Sequence, residues 1–361
     1  MLSLNDERKK INEIDKEMAK LFEMRMNAVK NIAAYKKSAG LPIFDKEREE
    51  EIIRERARLI EDDELRAFYV NFLKDNMAVS RRYQEKLLSG MKVAFSGTVG
   101  AFAHIAASRL FPTAEKLAYS DFAAAYAAVE KGECDVAVLP LENSYNGEVG
   151  QVTDLMFSGS LYVNEVTDIA ITQDLVGIKG ATLSDVKKVI SHPQALGQCA
   201  SFIKDNGFIT EEYSNTALAA KAVAELSDKS VAAIASAEAA EIFGLEVISS
   251  NINASRTNTT RFAVFSRSEN THTEKQKSVH SIILFTVRNE AGALAKAIDI
   301  IGKHKFNMHT LRSRPMKELL WQYYFYVEAE GNLNTDDGRT MLSELQKHCD
   351  KLKTVGSYIK K

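Results

Sequence analysis

The chain has 361 residues and a mass of 40.1 kDa, of which 45% are hydrophobic and 27% charged. This composition excludes wholesale disorder, and the length corresponds to two or three domains of about 100 to 200 residues. A formal net charge of -2 without a basic stripe argues against nucleic acid as a partner, and three widely spaced cysteines argue against a disulfide scaffold or a zinc cluster.

Membrane insertion and secretion are not predicted. The sequence lacks a run of about 18 apolar residues, and its N-terminus is charged where a signal peptide would have an apolar core. Unpaired cysteines fit a reducing compartment, so a cytoplasmic location is expected. Clustered histidines or carboxylates that would hold a metal are also missing from the sequence pattern.

Residues 1–90 are rich in charge and predict three helices. Gly40, Leu41 and Pro42 should end the first helix, and Asp62 with Asp63 should cap the third. A first helix of about 30 residues would be about 45 Å long, too long for two shorter helices to cover. We therefore expect a second copy to pack against it, giving a homodimer or possibly a tetramer.

The apolar stripe of the first helix contains three cations. Read in helical steps it is Arg8, Ile11, Ile14, Met18, Leu21, Arg25, Val29, Ile32 and Lys36. Cations on such a stripe can simply extend their tips to solvent, but three together favour a polar pocket. Further polar groups on the other two helices are Asp45, Arg48, Glu49, Ser80 and Gln84. With more cations than acids, this pocket should bind a small dianion.

Residues 91–268 alternate short apolar runs with helical stretches, which predicts an α/β domain of two lobes with a cleft. Four strings lie at predicted strand ends or turns: FSGTVGAFAH (95–104), PLENSYNG (140–147), SHPQALGQC (191–199) and NTTRF (258–262). Each string has a simpler structural interpretation as a turn or a helix cap. The polar stretch 269–277 predicts a linker, and residues 278–361 predict a βαββα unit with a trailing strand.

The helical segment resembles the all-helical chorismate mutases, whose site pattern falls on Arg8, Arg25, Lys36, Asp45, Arg48, Glu49, Ser80 and Gln84. The resemblance implies that Arg25, Arg48 and a partner-donated Arg8 hold the carboxylates of chorismate. Lys36 and Gln84 would face the ether oxygen, and Glu49 the ring hydroxyl. A pericyclic rearrangement needs a folded substrate and well-placed donors, so no cofactor is expected.

The middle segment resembles prephenate dehydratase and its two-lobed, periplasmic-binding-like fold, through the strings around Glu142, Asn143 and Ser144, around Gln198, and around Thr260, Arg261 and Phe262. The resemblance implies that Thr260, with Phe262 beside it, donates a proton to the departing hydroxyl of prephenate. It also implies that the substrate-binding polar groups of the cleft are Glu142, Asn143, Ser144 and Gln198. Arg261 is either a carboxylate clamp or a structural salt bridge, and His192 is either a loop residue or a site residue. The family usually carries hydroxyl residues where this chain has Ala101 and Ala103, which leaves the efficiency of the dehydratase open.

The last segment resembles the ferredoxin-like ACT modules that sense amino acids. The resemblance implies that phenylalanine binds as a feedback effector at Gly292, Ala293, Leu294, Arg312, Ser313, Arg314 and Pro315. Arg312 replaces the usual glutamate, so phenylalanine sensitivity is expected to be weakened or retuned. The aromatic strand from Trp321 to Tyr326 is expected to form a packed sheet instead of a base-stacking surface.

Together these resemblances predict a bifunctional enzyme that converts chorismate through prephenate to phenylpyruvate under feedback control by phenylalanine. Two alternatives remain at this point. One is a small-molecule-binding regulator that combines a two-lobed receptor, an amino-acid sensor and a dimerising coiled coil. The other is an active mutase joined to an impaired dehydratase, for which Ala101 and Ala103 are the main argument.

Overall fold

The structure, a computed structural model, describes residues 3–39, 41–254, 258–270, 278–316 and 322–359. The chain folds into two compact units, Met1–Met91 and Lys92–Lys361, and each is described here by itself. The predictions that concern Gly40, Trp321 and most of the linker fall outside the described residues.

The helical unit contains the three predicted helices. They are α1 (Leu4–Ala39), α2 (Lys46–Ala57) and α3 (Asp63–Ser89). At 36 residues, α1 is longer than predicted and ends just before Leu41 and Pro42. Asp62 caps α3 by accepting hydrogen bonds from the backbone N–H groups of Glu64 and Leu65, so the capping prediction is confirmed.

Within the helical unit, only part of α1 is covered. Its C-terminal half packs on α3, where Val29, Ala33, Leu73 and Met77 form the buried core. Its N-terminal half presents apolar side chains to solvent; they include Ile11, Ile14, Met18, Leu21 and Phe22. A single copy of the chain therefore leaves about half of this helix without an apolar partner.

The first lobe of the second unit is built on a six-stranded sheet. Its members are β1 (Lys92–Ser96), β2 (Glu115–Tyr119), β3 (Val136–Asn143), β4 (Gly147–Glu148), β5 (Tyr162–Ala170) and β11 (Thr259–Ser266), in the order β2-β1-β3-β11-β5 with β4 beside β3. Three helices pack with it: α4 (Phe102–Leu110), α5 (Phe122–Lys131) and α6 (Gly150–Ser158). The chain leaves this lobe after β5 and returns to its centre through β11.

The second lobe has a five-stranded sheet in the order β10-β6-β9-β7-β8. Its strands are β6 (Asp174–Gly177), β7 (Lys188–Ser191), β8 (Ile209–Glu212), β9 (Val231–Ala235) and β10 (Glu246–Ser249). Its helices are α7 (Pro193–Gln198), α8 (Ala200–Asp205), α9 (Thr216–Leu226) and α10 (Ala237–Phe243). The prediction of a two-lobed α/β architecture is confirmed.

The C-terminal module, residues 278–359 as described, follows the predicted order of elements. It contains β12 (Val279–Thr286), α11 (Ala293–Lys303), β13 (Asn307–Pro315), β14 (Tyr323–Glu330), α12 (Asp336–Gln346) and β15 (Lys351–Ile359). The strands form an antiparallel sheet in the order β13-β14-β12-β15. The closing helix ends at Gln346, and the trailing strand follows it.

The C-terminal module packs directly on the first lobe. Side chains from both belong to one buried cluster that contains Tyr126 and Phe265 of the lobe and Tyr324 and Tyr358 of the module. Gly356 approaches so closely that a Cβ atom placed there would lie 2.4 Å from the carbonyl oxygen of Val163, and its φ of +142° also favours glycine. This packing brings the module against the back of strands β3 and β11.

Candidate active sites

A polar group joins α1 and α3 in the helical unit. The half-buried guanidinium of Arg25 donates a hydrogen bond to Ser80 Oγ, which in turn donates to the carbonyl oxygen of Asn76 at 2.8 Å. Burial lowers the pKa of Arg25, and the nearby charge of Arg56 lowers it further. The arginine nevertheless stays charged at neutral pH, because arginine starts from a very high pKa.

Two oxygen atoms near this group lack partners. Gln84 is only 7% exposed and donates a long 3.4 Å hydrogen bond to the carbonyl oxygen of Ser80. Among the residues that the structure describes, buried Gln84 Oε1 and Asn76 Oδ1 accept no hydrogen bond. Buried polar atoms are normally satisfied, so this corner of the unit is suited to receive a polar ligand.

The other predicted mutase residues make different contacts. Lys36 donates to the carbonyl oxygen of Ile43 at 2.6 Å. Asp45 caps α2, while Arg48 is exposed and paired with Glu51. Glu49 is held by an arginine that the sequence analysis missed, Arg81, whose side chain also lies over the ring of Phe44 at 5.2 Å. Arg8 is exposed in the single chain.

A cavity of about 570 Å³ lies beside Arg25, between α1 and α3. Its lining includes Leu21, Phe22 and Phe72, together with the acidic side chains of Asp15 and Asp75. The side chain of Leu21 is 62% exposed, so the cavity opens on the uncovered face of α1. The predicted inward orientation of the cations is therefore found at Arg25, whereas Arg8 remains on the open face.

In the first lobe, Asn143 and Thr260 are paired across β3 and β11. Asn143 Nδ2 donates to Thr260 Oγ1 at 2.9 Å and to Asn258 Oδ1 at 2.8 Å. Its Oδ1 accepts from the backbone N–H groups of Tyr145 and Asn146, which fixes the orientation of the amide. Because Thr260 Oγ1 accepts from Asn143, its own hydrogen can point to another acceptor.

Groups from the second lobe complete this cluster. Gln198 Oε1 accepts hydrogen bonds from Asn258 at 3.3 Å and from Gln173 at 3.5 Å. Gln173, in the connection between β5 and β6, is a residue that the sequence analysis missed. Its Oε1 is buried without a hydrogen-bond partner among the described residues. Three of the four strings thus meet at one place, where the lobes join.

The PLENSYNG and NTTRF strings also meet through their backbones. Ser144 N–H donates to the carbonyl oxygen of Thr259 at 2.8 Å, and Thr259 N–H donates to Ser144 Oγ at 2.9 Å. His192 Nδ1 accepts from the N–H of Gln194 and caps α7, which favours its interpretation as a loop residue. Phe262 is only 2% exposed and belongs to the packed wall of the lobe.

The FSGTVGAFAH string forms the entry to α4 and lies against the second lobe. Gly100 has a φ of +88°, and a Cβ atom there would lie 3.0 Å from the ring of Phe243. Gly100 N–H donates to His104 Nδ1 at 3.3 Å, and burial followed by the charge of Lys116 lowers the pKa of that histidine. Ala101 is the N-cap residue of α4 and makes no side-chain hydrogen bond to the helix. A hydroxyl residue at position 101 would be able to cap α4, so this substitution removes a helix cap.

Two residues predicted to bind substrate point the other way. Neighbouring residues on a strand face opposite sides of a sheet, so Glu142 and Arg261 lie behind Asn143 and Thr260. Arg261 donates to both carboxylate oxygens of Glu328 in the C-terminal module, at 3.0 and 2.7 Å. Of the two roles left open for Arg261, the structure therefore favours the salt bridge.

The predicted effector residues divide into two places. Gly292 is the N-cap of α11, and Leu294 lines a cavity of about 380 Å³ that also has Asn289, Glu290 and Phe325 in its wall. Arg312 instead contacts Glu142, so the carboxylate expected in the dehydratase cleft and the cation expected beside the effector bind each other. This is a correction to both predictions.

Arg314 likewise faces the first lobe. It donates to both carboxylate oxygens of Asp154 at 3.0 and 3.2 Å, and Tyr324 donates to the same carboxylate at 2.7 Å. The remaining predicted effector residues, Ser313 and Pro315, lie on β13 opposite Phe325 and Tyr323. Tyr324 also stacks on Phe157 of α6 with ring centroids 4.3 Å apart, so part of the aromatic strand is packing, as predicted.

No described helix combines the length and the hydropathy that crossing a membrane requires. Within the same described ranges, histidine, cysteine and acidic side chains form no group of three suited to a metal ion.

Comparison with known proteins agrees with this division of the chain. Residues 93–270 match the family model for prephenate dehydratase, and residues 7–85 match that for chorismate mutase type II. A bifunctional chorismate mutase/prephenate dehydratase from Aquifex aeolicus is 32% identical and aligns with 100% of this chain and 99% of its own length.

Two solved structures cover about three-quarters of the chain. GqqA, described as a novel type of quorum quenching acylase, shares 31% identity over 75% of this chain and 98% of its own, with a TM-score of 0.69. Prephenate dehydratase from Arthrobacter aurescens in complex with L-Phe shares 25% identity over 74% of this chain and 90% of its own, with a TM-score of 0.68. Since one fold carries both descriptions, activity has to be argued from the site.

Proposed function

Because the chain belongs to the family of bifunctional chorismate mutase/prephenate dehydratases, we propose a site in the helical unit for its first reaction and a site at Thr260 for its second. The enzyme acts in phenylalanine biosynthesis: it rearranges chorismate to prephenate and then removes carbon dioxide and water from prephenate to give phenylpyruvate. This activity displaces the alternative of a regulator without catalysis. The cytoplasmic location stays a prediction.

Chorismate is a dianion, and the helical unit offers its carboxylates positive charge. We assign Arg25, Arg48 and Arg8 to its carboxylates, with Arg8 donated by a second copy of the chain. The half-buried Arg25 beside Ser80 is the best-supported member of this set. Arg48 must leave Glu51 to reach the substrate, an exchange that costs little because the pair is exposed.

Lys36 and Gln84 are the proposed donors to the ether oxygen, on which negative charge grows as the C–O bond breaks. Asp45 holds the start of α2, and Glu49 faces the ring hydroxyl. Conformer selection together with two preorganised donors, each contributing about 3 to 4 kcal/mol, accounts for a barrier reduction of about 8 kcal/mol. The observation that carries this assignment is the long 3.4 Å hydrogen bond of Gln84 Nε2, beside the Arg25–Ser80 pair, which leaves this buried amide donor available to the substrate.

The open face of α1 supports a homodimer. Apolar side chains such as Ile14 and Leu21 are more than half exposed in the single chain, and burying them favours association. The cavity beside Arg25 opens on this same face. A second copy of α1 packed here would close the site, and whether dimers pair further into tetramers stays open.

For the second reaction, we assign Thr260 as the donor to the departing hydroxyl of prephenate. Asn143 donates a hydrogen bond to Thr260 Oγ1. The hydroxyl hydrogen of Thr260 is therefore available to the departing oxygen of prephenate. Formation of the aromatic ring supplies the thermodynamic drive, so the protein has to orient and polarise the substrate. Asn258, Gln198 and Gln173 supply further donors and acceptors where the lobes join.

We further propose that the C-terminal module, residues 278–361, is a ferredoxin-like ACT domain that binds phenylalanine. Its βαββαβ order and its strand order support this assignment. The cavity beside Leu294 is the proposed effector site, supported by the L-Phe complex of the relative from Arthrobacter aurescens. Arg312 lies against Glu142, so its replacement of glutamate affects the docking of the module more than the ligand.

Feeding purified protein with chorismate, while following prephenate and phenylpyruvate separately, tests both sites. Lys36→Ala should lower chorismate consumption by about 100-fold or more while sparing prephenate breakdown. Thr260→Ala should do the converse, with Thr260→Ser as the control that keeps a hydroxyl. Unchanged mutase turnover in the first variant would remove the pocket assignment, and phenylpyruvate formation in Thr260→Ala would remove the proposed donor.

A further inference from the structure

The two faces of strand β11 contact different parts of the second unit. Thr260 faces the junction of the lobes and pairs with Asn143, while Arg261, the next residue, faces the C-terminal module. Any force that holds the Arg261 side chain therefore also fixes the position and tilt of the backbone that carries Thr260. The two side chains are separated by a single peptide unit, so little can move between them.

The group that holds Arg261 is a buried carboxylate from another part of the chain. Glu328, on β14 of the C-terminal module, is 3% exposed and accepts two hydrogen bonds from the guanidinium of Arg261. Tyr326 and Tyr358 also donate to it, and Tyr358 in turn accepts from Arg261 at 3.0 Å. These four hydrogen bonds use all the acceptor sites of the Glu328 carboxylate and fix its orientation.

The ladder of β11 is irregular at this point on one of its two edges. Toward β3, Arg261 pairs with Glu142 but Phe262 pairs with Pro140, so Leu141 is an extra residue on β3. Toward β5, the register is regular from Thr259 to Val264. Proline has no N–H to donate, and a bulge disrupts the ladder locally and bends the strand that carries it. The contact between Arg261 and Glu328 therefore adds an anchor to a strand whose β3 edge is irregular next to Thr260.

We propose that Glu328 is a positioning residue for the dehydratase, which holds Arg261 and thereby sets Thr260 at the distance required for proton donation to prephenate. The inference deepens the proposed function and rests on Thr260 as the donor. It assigns to the C-terminal module a part in the basal reaction, independent of any effector. A residue of the module is then needed for turnover even when phenylalanine is absent.

The chemistry of the pair fits this role. Burial alone would raise the pKa of Glu328, but the hydrogen bonds from Arg261 and the two tyrosines outweigh it and lower the pKa. The carboxylate is therefore charged throughout the neutral range. A buried ion pair contributes little net stability compared with apolar residues of similar size, whereas its geometry is strict. The pair is thus better suited to fixing a position than to stabilising the fold.

The test uses the full chain with prephenate as substrate and the variant Glu328→Gln, which keeps the size and removes the charge. We expect kcat for phenylpyruvate formation to fall by about 10- to 100-fold, as for a displacement of about 1 Å. The KM for prephenate should change by less than about threefold, because substrate contacts remain. Mutase activity of the same preparation should stay at the wild-type level and shows that the helical unit is folded. Thermal unfolding of the variant checks the folding of the second unit, which carries Glu328.

Asp154→Asn is a matched control. Asp154 also joins the first lobe to the C-terminal module and also receives an arginine, Arg314, and a tyrosine, Tyr324. Asp154 belongs to α6, whereas the Glu328 pair is attached to the lobe through Arg261 of β11, the strand that carries Thr260. The Asp154→Asn variant should therefore keep kcat within about threefold of wild type. Equal losses in Asp154→Asn and Glu328→Gln would mean that only docking of the module matters, and would overturn the proposal.

A double variant separates positioning from stability. Arg261→Met combined with Glu328→Leu removes both charges, so thermal stability should return toward wild type while kcat stays low. Recovery of kcat together with stability, or an unchanged kcat in Glu328→Gln, would overturn the positioning role. Thr260→Ala in the same assay tests the premise separately: activity retained in that variant rejects the donor assignment instead.

Discussion

In the helical unit, described side chains leave Gln84 Oε1 and Asn76 Oδ1 buried without a hydrogen-bond partner, and the first half of α1 has its apolar side chains in solvent. Where the C-terminal module meets the first lobe, Glu328 is equally buried but accepts four hydrogen bonds. Both regions hide polar groups next to a proposed site. One is incomplete within a single chain, and the other is completed by the chain itself.

The difference teaches which kind of partner each region needs. Unsatisfied buried atoms and exposed apolar side chains are costly, which supports the proposal that the helical unit binds a ligand and a second copy of the chain. A saturated carboxylate requires neither, and it can serve to fix geometry. Substitutions in the helical unit should therefore act through assembly, while those in the second unit should act through position, ligand binding or protonation.

The largest expected effect comes from charging the open face of α1. Leu21→Glu alters a side chain that is 62% exposed, so within one chain it should change stability by no more than about 0.5 kcal/mol. If a second copy covers this face, the variant should dissociate and lose mutase activity by about 100-fold, because the partner's arginine is withdrawn.

Light scattering at matched concentrations, with a chorismate assay, checks this prediction. Leu59→Glu is the control, since Leu59 is 72% exposed and follows α2 instead of lying on α1. A monomeric Leu21→Glu variant with full mutase activity would show that the helical unit is complete in one chain and would break the comparison. Retained assembly would show that a second copy does not cover this face of α1.

An intermediate effect is expected from phenylalanine on the second unit. A ligand at about 100 times its dissociation constant stabilises the folded state by about 2.7 kcal/mol, which corresponds to a rise of about 5 to 10 °C in Tm. Thermal unfolding with L-phenylalanine, and with D-phenylalanine as the control, measures this shift. Leu294→Glu should abolish it. A chain whose Tm does not move at millimolar ligand would not sense phenylalanine.

The smallest effect concerns His304, at the end of α11. Hydrogen bonding to Asp337 at 2.8 Å raises the pKa of His304, burial opposes this, and Glu344 adds to the rise. A histidine whose pKa is raised by folding stabilises fully below its unfolded value of about 6.5 and loses this contribution as the pH rises through the folded value.

The Tm of the second unit should therefore decline between about pH 6 and pH 8, and His304→Gln should flatten that decline. Glutamine keeps a hydrogen-bond donor but does not titrate, which separates charge from contact. Parallel Tm profiles for both proteins would show that the two carboxylates beside His304 contribute no pH dependence. His304 would then be no example of a polar group whose partners within the second unit affect stability.

Much of the architecture follows from local patterns. The end of α1 before Leu41 and Pro42 and the cap at Asp62 were predicted, because each depends on a few neighbouring residues. The meeting of the PLENSYNG, SHPQALGQC and NTTRF strings was implied by the resemblance. The structure shows their direct contacts.

The orientation of Glu142 was the main error, although strand alternation beside Asn143 contains the signal. For Arg261, the same alternation distinguishes between the two roles that the sequence left open. The bulge at Leu141 was beyond prediction, because it depends on how two distant strands pair. Arg81 and Gln173 were missed for a related reason: neither lies in a recognisable string, and only the folded chain brings Arg81 to Glu49 and Gln173 to Gln198.

Gly356 has a consequence for the evolution of the chain. Its backbone passes so near Val163 that any side chain at that point would push the two strands apart. A sensor transplanted here from an unrelated protein would dock only if it also carried glycine at the matching place. Exchange of the C-terminal module alone is therefore sterically restricted.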